Sequence, residues 1–220
     1  MKDSNEFAIH VIRLETAMIK GVDSMKIPNM YKMRVYFRNY IQTNNIPTRN
    51  TGLLSKHATK CFTKLGKDMG FYVRAPNNFK DLPNGPHQYP NDGGLLDIDL
   101  VWITDNPHHA PNNTTIYNFD NWEKAKSEIE LVLEFEATNN IVKDDLTHQC
   151  DELWKLSFVM ARVKVLIYVT NTNEIDHHIE IFREAISNFG IRQQPNPEWR
   201  IFSINATDDT VIGKIITPLE

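Results

Sequence analysis

The amino-acid sequence predicts an α/β fold in which a mixed central sheet is flanked by helices. Three observations predict it. Residues 130–136 alternate apolar and mostly acidic side chains with a period of two, which is typical of a strand. Residues 163–169 form the most strand-like run of the chain and indicate a buried, central strand. Helical patterns alternate with such runs, which favours one sheet covered by helices.

Five segments carry apolar side chains at helical spacing. They are residues 5–20, 29–43, 51–69, 142–161 and 174–189. Gly70 follows the third segment and Gly190 follows the fifth, and glycine commonly ends helices because it adopts left-handed backbone angles. The sequence therefore predicts five helices with defined ends.

Six segments predict strands. They are residues 71–74, 95–103, 130–136, 163–169, 199–205 and 211–216. Residues 76–94 and 105–114 are rich in Pro, Asn, Asp and Gly and predict long loops. We expect residues 1–50 to form an N-terminal helical segment packed on the core, and residues 51–220 to form one compact α/β domain.

Charge is distributed unevenly along the chain. The 220 residues carry a formal net charge of −4. Residues 20–80 nevertheless hold 12 Lys and Arg against two acids, and the remainder has a net charge of −14. Lys56, Lys60, Lys64 and Lys67 recur at helical spacing and predict one basic stripe. This pattern favours an anionic partner such as nucleic acid, and the alternative is a set of solvated helix faces.

The cysteines and the N-terminus limit the cellular setting. Cys61 and Cys150 lack the spacing of a metal site or a disulfide framework, and we expect both to be buried. The first residues lack an apolar signal core, and no apolar run is long enough to cross a bilayer. We therefore expect a soluble cytoplasmic protein with no membrane partner.

Two acidic strands carry the predicted chemistry. Glu134 and Glu136 leave the same face of one predicted strand, roughly 6–7 Å apart. Asp97 and Asp99 share a face of another. If the strands are neighbours, three or four carboxylates converge and repel one another unless a hard cation such as Mg²⁺ balances them. The alternative is a solvated outer face of an antiparallel sheet.

The order of these elements resembles the PD-(D/E)xK nuclease superfamily, which has a restriction-endonuclease-like core. The resemblance runs from a helix and a strand through an Asp-bearing strand and a Glu-x-Glu strand to a helix and a final strand. It covers roughly residues 51–169. Asp99 matches the motif aspartate, Glu134 matches the motif glutamate, and Glu136 stands where the family usually has lysine. Ile98 stands where the family often has proline.

The resemblance implies hydrolysis of DNA phosphodiester bonds with Mg²⁺, for which Mn²⁺ can substitute. Asp99, Glu134 and Glu136 would be the catalytic and metal-binding residues, and Glu136 would orient or deprotonate the attacking water. Asp97 and Lys143 would support them from the next strand position and from the following helix. Phosphate contacts would come from a basic set comprising Arg49, Lys56, Lys60, Lys64, Lys67 and Arg74.

Two functions of different classes follow from these observations. The first is a magnesium-dependent DNA endonuclease, with a restriction enzyme as one option, which we expect to act as a homodimer because cutting two strands is easiest with two sites. The second is a nucleic-acid-binding or regulatory protein that keeps the nuclease-like fold without activity, which the missing lysine at position 136 favours. An RNA substrate stays open in either case.

Overall fold

The computed structural model of the chain describes residues 27–75, 98–104, 129–136, 146–171, 174–189 and 196–217. Within them are four helices, α1 (Met30–Thr43), α2 (Thr51–Asp68), α3 (Thr147–Ser157) and α4 (Ile175–Asn188). The same residues form six strands, β1 (Tyr72–Arg74), β2 (Leu100–Ile103), β3 (Ile129–Glu136), β4 (Val163–Thr170), β5 (Glu198–Asn205) and β6 (Val211–Ile216).

The six strands form one sheet in the order β1-β2-β3-β4-β5-β6. The first three strands pair antiparallel, β3 pairs parallel with β4, β4 pairs parallel with β5, and β6 returns antiparallel. The α/β class and the mixed sheet are therefore confirmed. Every residue of β4 is buried, as expected for a central strand between two helical layers.

Helices cover both faces of the sheet. On one face α1 and α2 enclose an apolar cluster that includes Leu131, Leu133 and Phe135 of β3. On the other face α3 and α4 enclose a second cluster that includes Val132 of β3. Alternate β3 side chains therefore enter opposite cores, and the even-numbered positions of this strand face α3. No helix among the described residues is long and apolar enough to cross a membrane.

The helix α1 shares its core with α2 and the sheet. Asn29 caps α1 by accepting a hydrogen bond from the Lys32 backbone at 3.0 Å. Met33 and Phe37 are fully buried in the cluster that α2 also lines, and Arg200 of β5 donates to the Pro28 carbonyl at 2.6 Å. The helix predicted over residues 5–20 lies outside the described residues.

Three predictions differ from the structure or are only partly covered by it. In the strand predicted over residues 95–103, residues 95–97 lie outside the described residues, Ile98 and Asp99 are not part of a strand, and β2 spans Leu100–Ile103. The helix α3 ends at Ser157 instead of residue 161, because the chain turns there to enter β4. Cys61 is buried as predicted, but Cys150 is only partly buried because it lies at the margin of the inward face of α3.

The helix α2 packs very closely on the sheet at Gly66. A Cβ atom at Gly66 would lie 2.6 Å from the indole nitrogen of Trp102 and 2.7 Å from a methyl group of Val73. The Trp102 side chain is fully buried and has no room to move away. Only glycine therefore lets α2 approach β2 this closely.

We expect Gly66→Ala to lower the free energy of unfolding by about 1–3 kcal/mol, because overpacking outweighs the better helix propensity of alanine. Gly52→Ala in the same helix is the matched control. Its Cβ would have only one neighbour, at 4.0 Å, so we expect a gain of about 0.4–1 kcal/mol. Urea unfolding of the two variants measures both effects, and equal effects would contradict the packing argument.

Candidate active site

The candidate site forms where the chain enters β2. Leu100 pairs with Leu133 across the antiparallel β2–β3 ladder, so Asp99 lies beside Glu134. The Phe135 backbone N–H donates to Asp99 Oδ2 at 2.8 Å. In return, a backbone hydrogen bond from Asp99 reaches the Glu134 carboxyl group. These reciprocal bonds fix the two acids next to each other.

The Glu134 carboxyl group is almost completely withdrawn from water. Glu134 is only 3% exposed, because α3 covers this face of β3. Burial raises the pKa of Glu134 to about 10, and the charges of Asp99 and Glu152 add to the rise. The Lys155 charge and the Asp99 backbone hydrogen bond act in the opposite direction. The alternative of a solvated outer sheet face is therefore excluded for Glu134.

The helix α3 adds a cation and a third carboxylate to this pair. Lys155 Nζ lies 3.8 Å from Glu134 Oε1 and 2.5 Å from Glu152 Oε2. Burial opposes the charge on Lys155, but the hydrogen bond to Glu152 and the nearby acids Glu134 and Asp99 together raise its pKa. Lys155 is therefore a permanent cation near neutral pH.

Glu136 closes the site at the end of β3. It is partly buried and points to the same face as Glu134. Burial raises the pKa of Glu136 first, and the charge of Glu152 raises it further. The charges of His148 and Lys155 partly offset this rise. The pKa of Glu136 is therefore closer to the value that suits a general base near neutral pH than the pKa of an exposed glutamate would be.

The structure brings together the three predicted catalytic residues, Asp99, Glu134 and Glu136. The charge of Asp99 raises the pKa values of both Glu134 and Glu136, as expected for carboxylates that lie close together. Asp97 and Lys143 were also predicted to support the site, and both lie outside the described residues.

The predicted phosphate-binding residues lie elsewhere. The lysines of α2 lie on the helix that packs against the opposite face of the sheet from Glu134. Lys64 pairs with Asp68 at 2.6 Å. Arg49 donates to the Ala206 carbonyl at 3.1 Å, close to the turn between β5 and β6. The side chain of Arg74 is not among those the structure describes.

Sequence reasoning did not assign Glu152 and Lys155 to the site and treated His148 as a surface residue or minor neighbour. A signal for them exists in the sequence. Positions 148, 152 and 155 follow helical spacing. Each of them immediately precedes one of the buried positions of the helix, which are 149, 153 and 156. A stripe of polar residues along the edge of a buried helix face points toward the neighbouring strand, which here is β3.

The described side chains could supply only some of the ligands that a divalent cation needs. Within the described ranges, no group of three or more His, Cys, Asp and Glu side chains is arranged to hold a metal ion. Glu134 Oε1 has no hydrogen-bond partner in the same part of the chain, and the Lys155 ammonium group lies 3.8 Å from it. A buried carboxylate oxygen in this state can accept a cation or a proton.

Comparisons with protein-family models, with curated proteins and with solved structures returned no match.

Proposed function

We propose that this chain is a magnesium-dependent endonuclease that hydrolyses DNA phosphodiester bonds. The observation that carries the proposal is the adjacent pair Asp99 and Glu134: within the described part of the chain the buried Oε1 of Glu134 has no hydrogen-bond partner, and the Lys155 ammonium group lies 3.8 Å from it. Such a pair is costly in water-free surroundings, and sites of strongly perturbed pKa are often functional.

The order of the elements supports the proposal. The described elements from α2 to β4 follow the order helix, three antiparallel strands, helix and parallel strand. The resemblance to the PD-(D/E)xK superfamily depends on an order of this kind. Asp99 lies immediately before the second strand, and Glu134 and Glu136 lie at the end of the third.

Asp99 and Glu134 would hold the metal ion. Mg²⁺ usually binds through one or two carboxylates, with waters and substrate phosphate oxygens as the other ligands, so two convergent acids are sufficient. The bound ion would lower the pKa of water and neutralise charge on the phosphate. Glu134 would then be ionised, because a nearby cation reverses the effect of burial on its pKa.

Glu136 and Lys155 have different roles in this proposal. Glu136 has a raised pKa and an accessible position, so it would accept a proton from the attacking water. The water oxygen would then bond to phosphorus as the bond between phosphorus and the sugar oxygen breaks, and the leaving sugar oxygen would take up a proton from solvent. Lys155 stays protonated and would stabilise the negative charge that develops on the phosphate. It thus supplies from α3 the cation that position 136 lacks.

Nicking of supercoiled plasmid in the presence of Mg²⁺ or Mn²⁺ tests the proposal. We expect the wild-type chain to nick, and Asp99→Asn or Glu134→Gln to lower the rate by at least about a hundredfold, since metal binding contributes several kcal/mol. Glu130→Gln is the matched control, because Glu130 is a buried glutamate on the same face of β3 that pairs with Arg162 at 3.0 Å. This control should nick normally.

A second candidate is a nucleic-acid-binding protein without activity. The observation that favours it is that the acids need no metal for charge balance: Lys155 pairs with Glu152, and the raised pKa of Glu134 keeps that carboxyl group protonated near neutral pH. Retained DNA binding with no cleavage of DNA or RNA by either metal would favour this candidate and contradict the first. Homodimer formation, which cutting both strands would favour, stays a prediction.

A further inference from the structure

The helical layer formed by α1 and α2 differs sharply in charge from the rest of the molecule. Residues 27–75 carry nine Lys and Arg side chains and one acid, Asp68. The other described residues carry six basic and 13 acidic side chains. The described segment that contains α1 and α2 is therefore strongly basic, whereas the other described residues are acidic in sum.

The basic side chains of α2 point away from the sheet. Its buried residues face the apolar core, whereas Lys56, Lys64 and Lys67 are exposed and Lys60 is partly exposed. His57 lies between these lysines in the sequence, and its pKa responds to the electrostatic potential that they produce. Burial lowers its pKa, and the charges of Lys60 and Lys56 lower it further.

We propose that the exposed side of α1 and α2 is a nucleic-acid-binding surface that works independently of the candidate active site. The two sites lie on opposite faces of the sheet, separated by at least the diameter of α2, about 10–12 Å, plus the sheet itself. A phosphate bound by Lys56 or Lys67 therefore cannot be the phosphate beside Glu134. The surface holds a second stretch of polynucleotide or a distant part of the same one.

The composition of the surface favours a phosphate backbone over a protein partner. Protein interfaces need a buried apolar centre, with charged residues at the rim. Among the described residues, the exposed large apolar side chain on α2 is Leu53, at 36%. On α1 it is Tyr31, which lies 5.5 Å from the Arg34 guanidinium group. Neither forms an apolar patch.

The spacing of the lysines also fits a polynucleotide. Lys56 and Lys67 are separated by eleven residues, which is about 16 Å along a helix. This length matches about five nucleotides of one strand at 3.4 Å each. Lys56, Lys60 and Lys67 can therefore contact three phosphates of one strand.

The test measures binding of the full chain to a short labelled DNA duplex over a salt series, with a chelator present so that no cleavage occurs. The variant carries Lys56→Gln, Lys60→Gln and Lys67→Gln together. We expect its affinity to fall at least about tenfold, and the slope of log affinity against log salt to fall by about two to three, since each phosphate contact contributes about 0.9. The charge-matched control carries Arg162→Gln, Arg183→Gln and Lys214→Gln and should keep the wild-type slope.

Three outcomes would overturn the inference. They are an unchanged slope in the lysine variant, an equal loss in the control variant, and displacement of the duplex by a polyglutamate peptide of equal charge, which would indicate an acidic protein partner. Glu134→Gln should keep the wild-type slope, and a changed slope would contradict the independence of the two sites. Because no cleavage is measured, this result and the plasmid result can fail separately.

Discussion

Replacing Glu134 with glutamine is expected to stabilise the fold by roughly 3–5 kcal/mol at about pH 8 when no divalent cation is present. Burial and the neighbouring acids raise the pKa of Glu134 from 4.5 to about 10 in the folded state. Below pH 4.5 the carboxyl group is protonated in both the folded and the unfolded chain. Above it, the unfolded chain releases the proton and the folded chain keeps it, so stability falls by about 1.4 kcal/mol per pH unit until about pH 10. Glutamine removes this loss.

Urea unfolding across this pH range measures the effect. The difference in free energy of unfolding between Glu134→Gln and wild type should widen as the pH rises. Glu130→Gln is the control, because it breaks the ion pair with Arg162 and should be less stable than wild type near neutral pH. A pH-independent difference for Glu134→Gln would contradict the burial argument.

The same variant separates metal binding from catalysis. Added Mg²⁺ should stabilise the wild-type chain more at high pH, because only the ionised carboxyl group binds the cation and binding must displace the proton. Glu134→Gln should lose most of this stabilisation. Equal stabilisation of both proteins would place the cation elsewhere, whatever the outcome of the nicking assay.

Replacing Lys155 with methionine is expected to lower the nicking rate by about 10²–10³ and the free energy of unfolding by about 1–3 kcal/mol at neutral pH. Methionine keeps much of the apolar stem but removes the cation that lies 3.8 Å from Glu134 and 2.5 Å from Glu152. Because the pKa of Lys155 is raised, its stabilising contribution is complete throughout the neutral range and is lost only as the pH rises through that raised value.

Arg183→Met on α4 is the matched control for Lys155→Met. Arg183 has nearly the same exposure as Lys155, 27% against 26%, and it also pairs with a glutamate three residues earlier. Its partner Glu180 is 65% exposed, whereas Glu152 is 15% exposed. We expect the free energy of unfolding of the control to fall by less than about 1 kcal/mol and its nicking rate to stay unchanged. Similar losses in both variants would show that the burial of the acids is unimportant.

The fold could be predicted largely from the sequence because its signals are local. The alternation in β3 and the apolar run of β4 both reflect the period of two along a strand. The helix α2 ends one residue from its predicted end. The sequence did not predict that Glu130 and Glu134 would be buried, because alternation alone does not tell a solvated face from one that a helix covers.

The site could be predicted in part. Asp99 and Glu134 came from two separate strands that proved to be neighbours in the sheet. Glu152 and Lys155 could not be assigned from the sequence, because their position depends on how α3 is rotated over β3. That rotation is set by nonlocal packing of Leu153 and Leu156 against the sheet.

The close approach of α2 to β2 at Gly66 has a mechanical consequence. Trp102, which Gly66 contacts, lies in β2, the strand that begins immediately after Asp99. Because there is no free space between the helix and the strand at this point, α2 cannot slide along the sheet without displacing β2. Movement of α2 along the sheet would therefore also move the strand that begins beside Asp99.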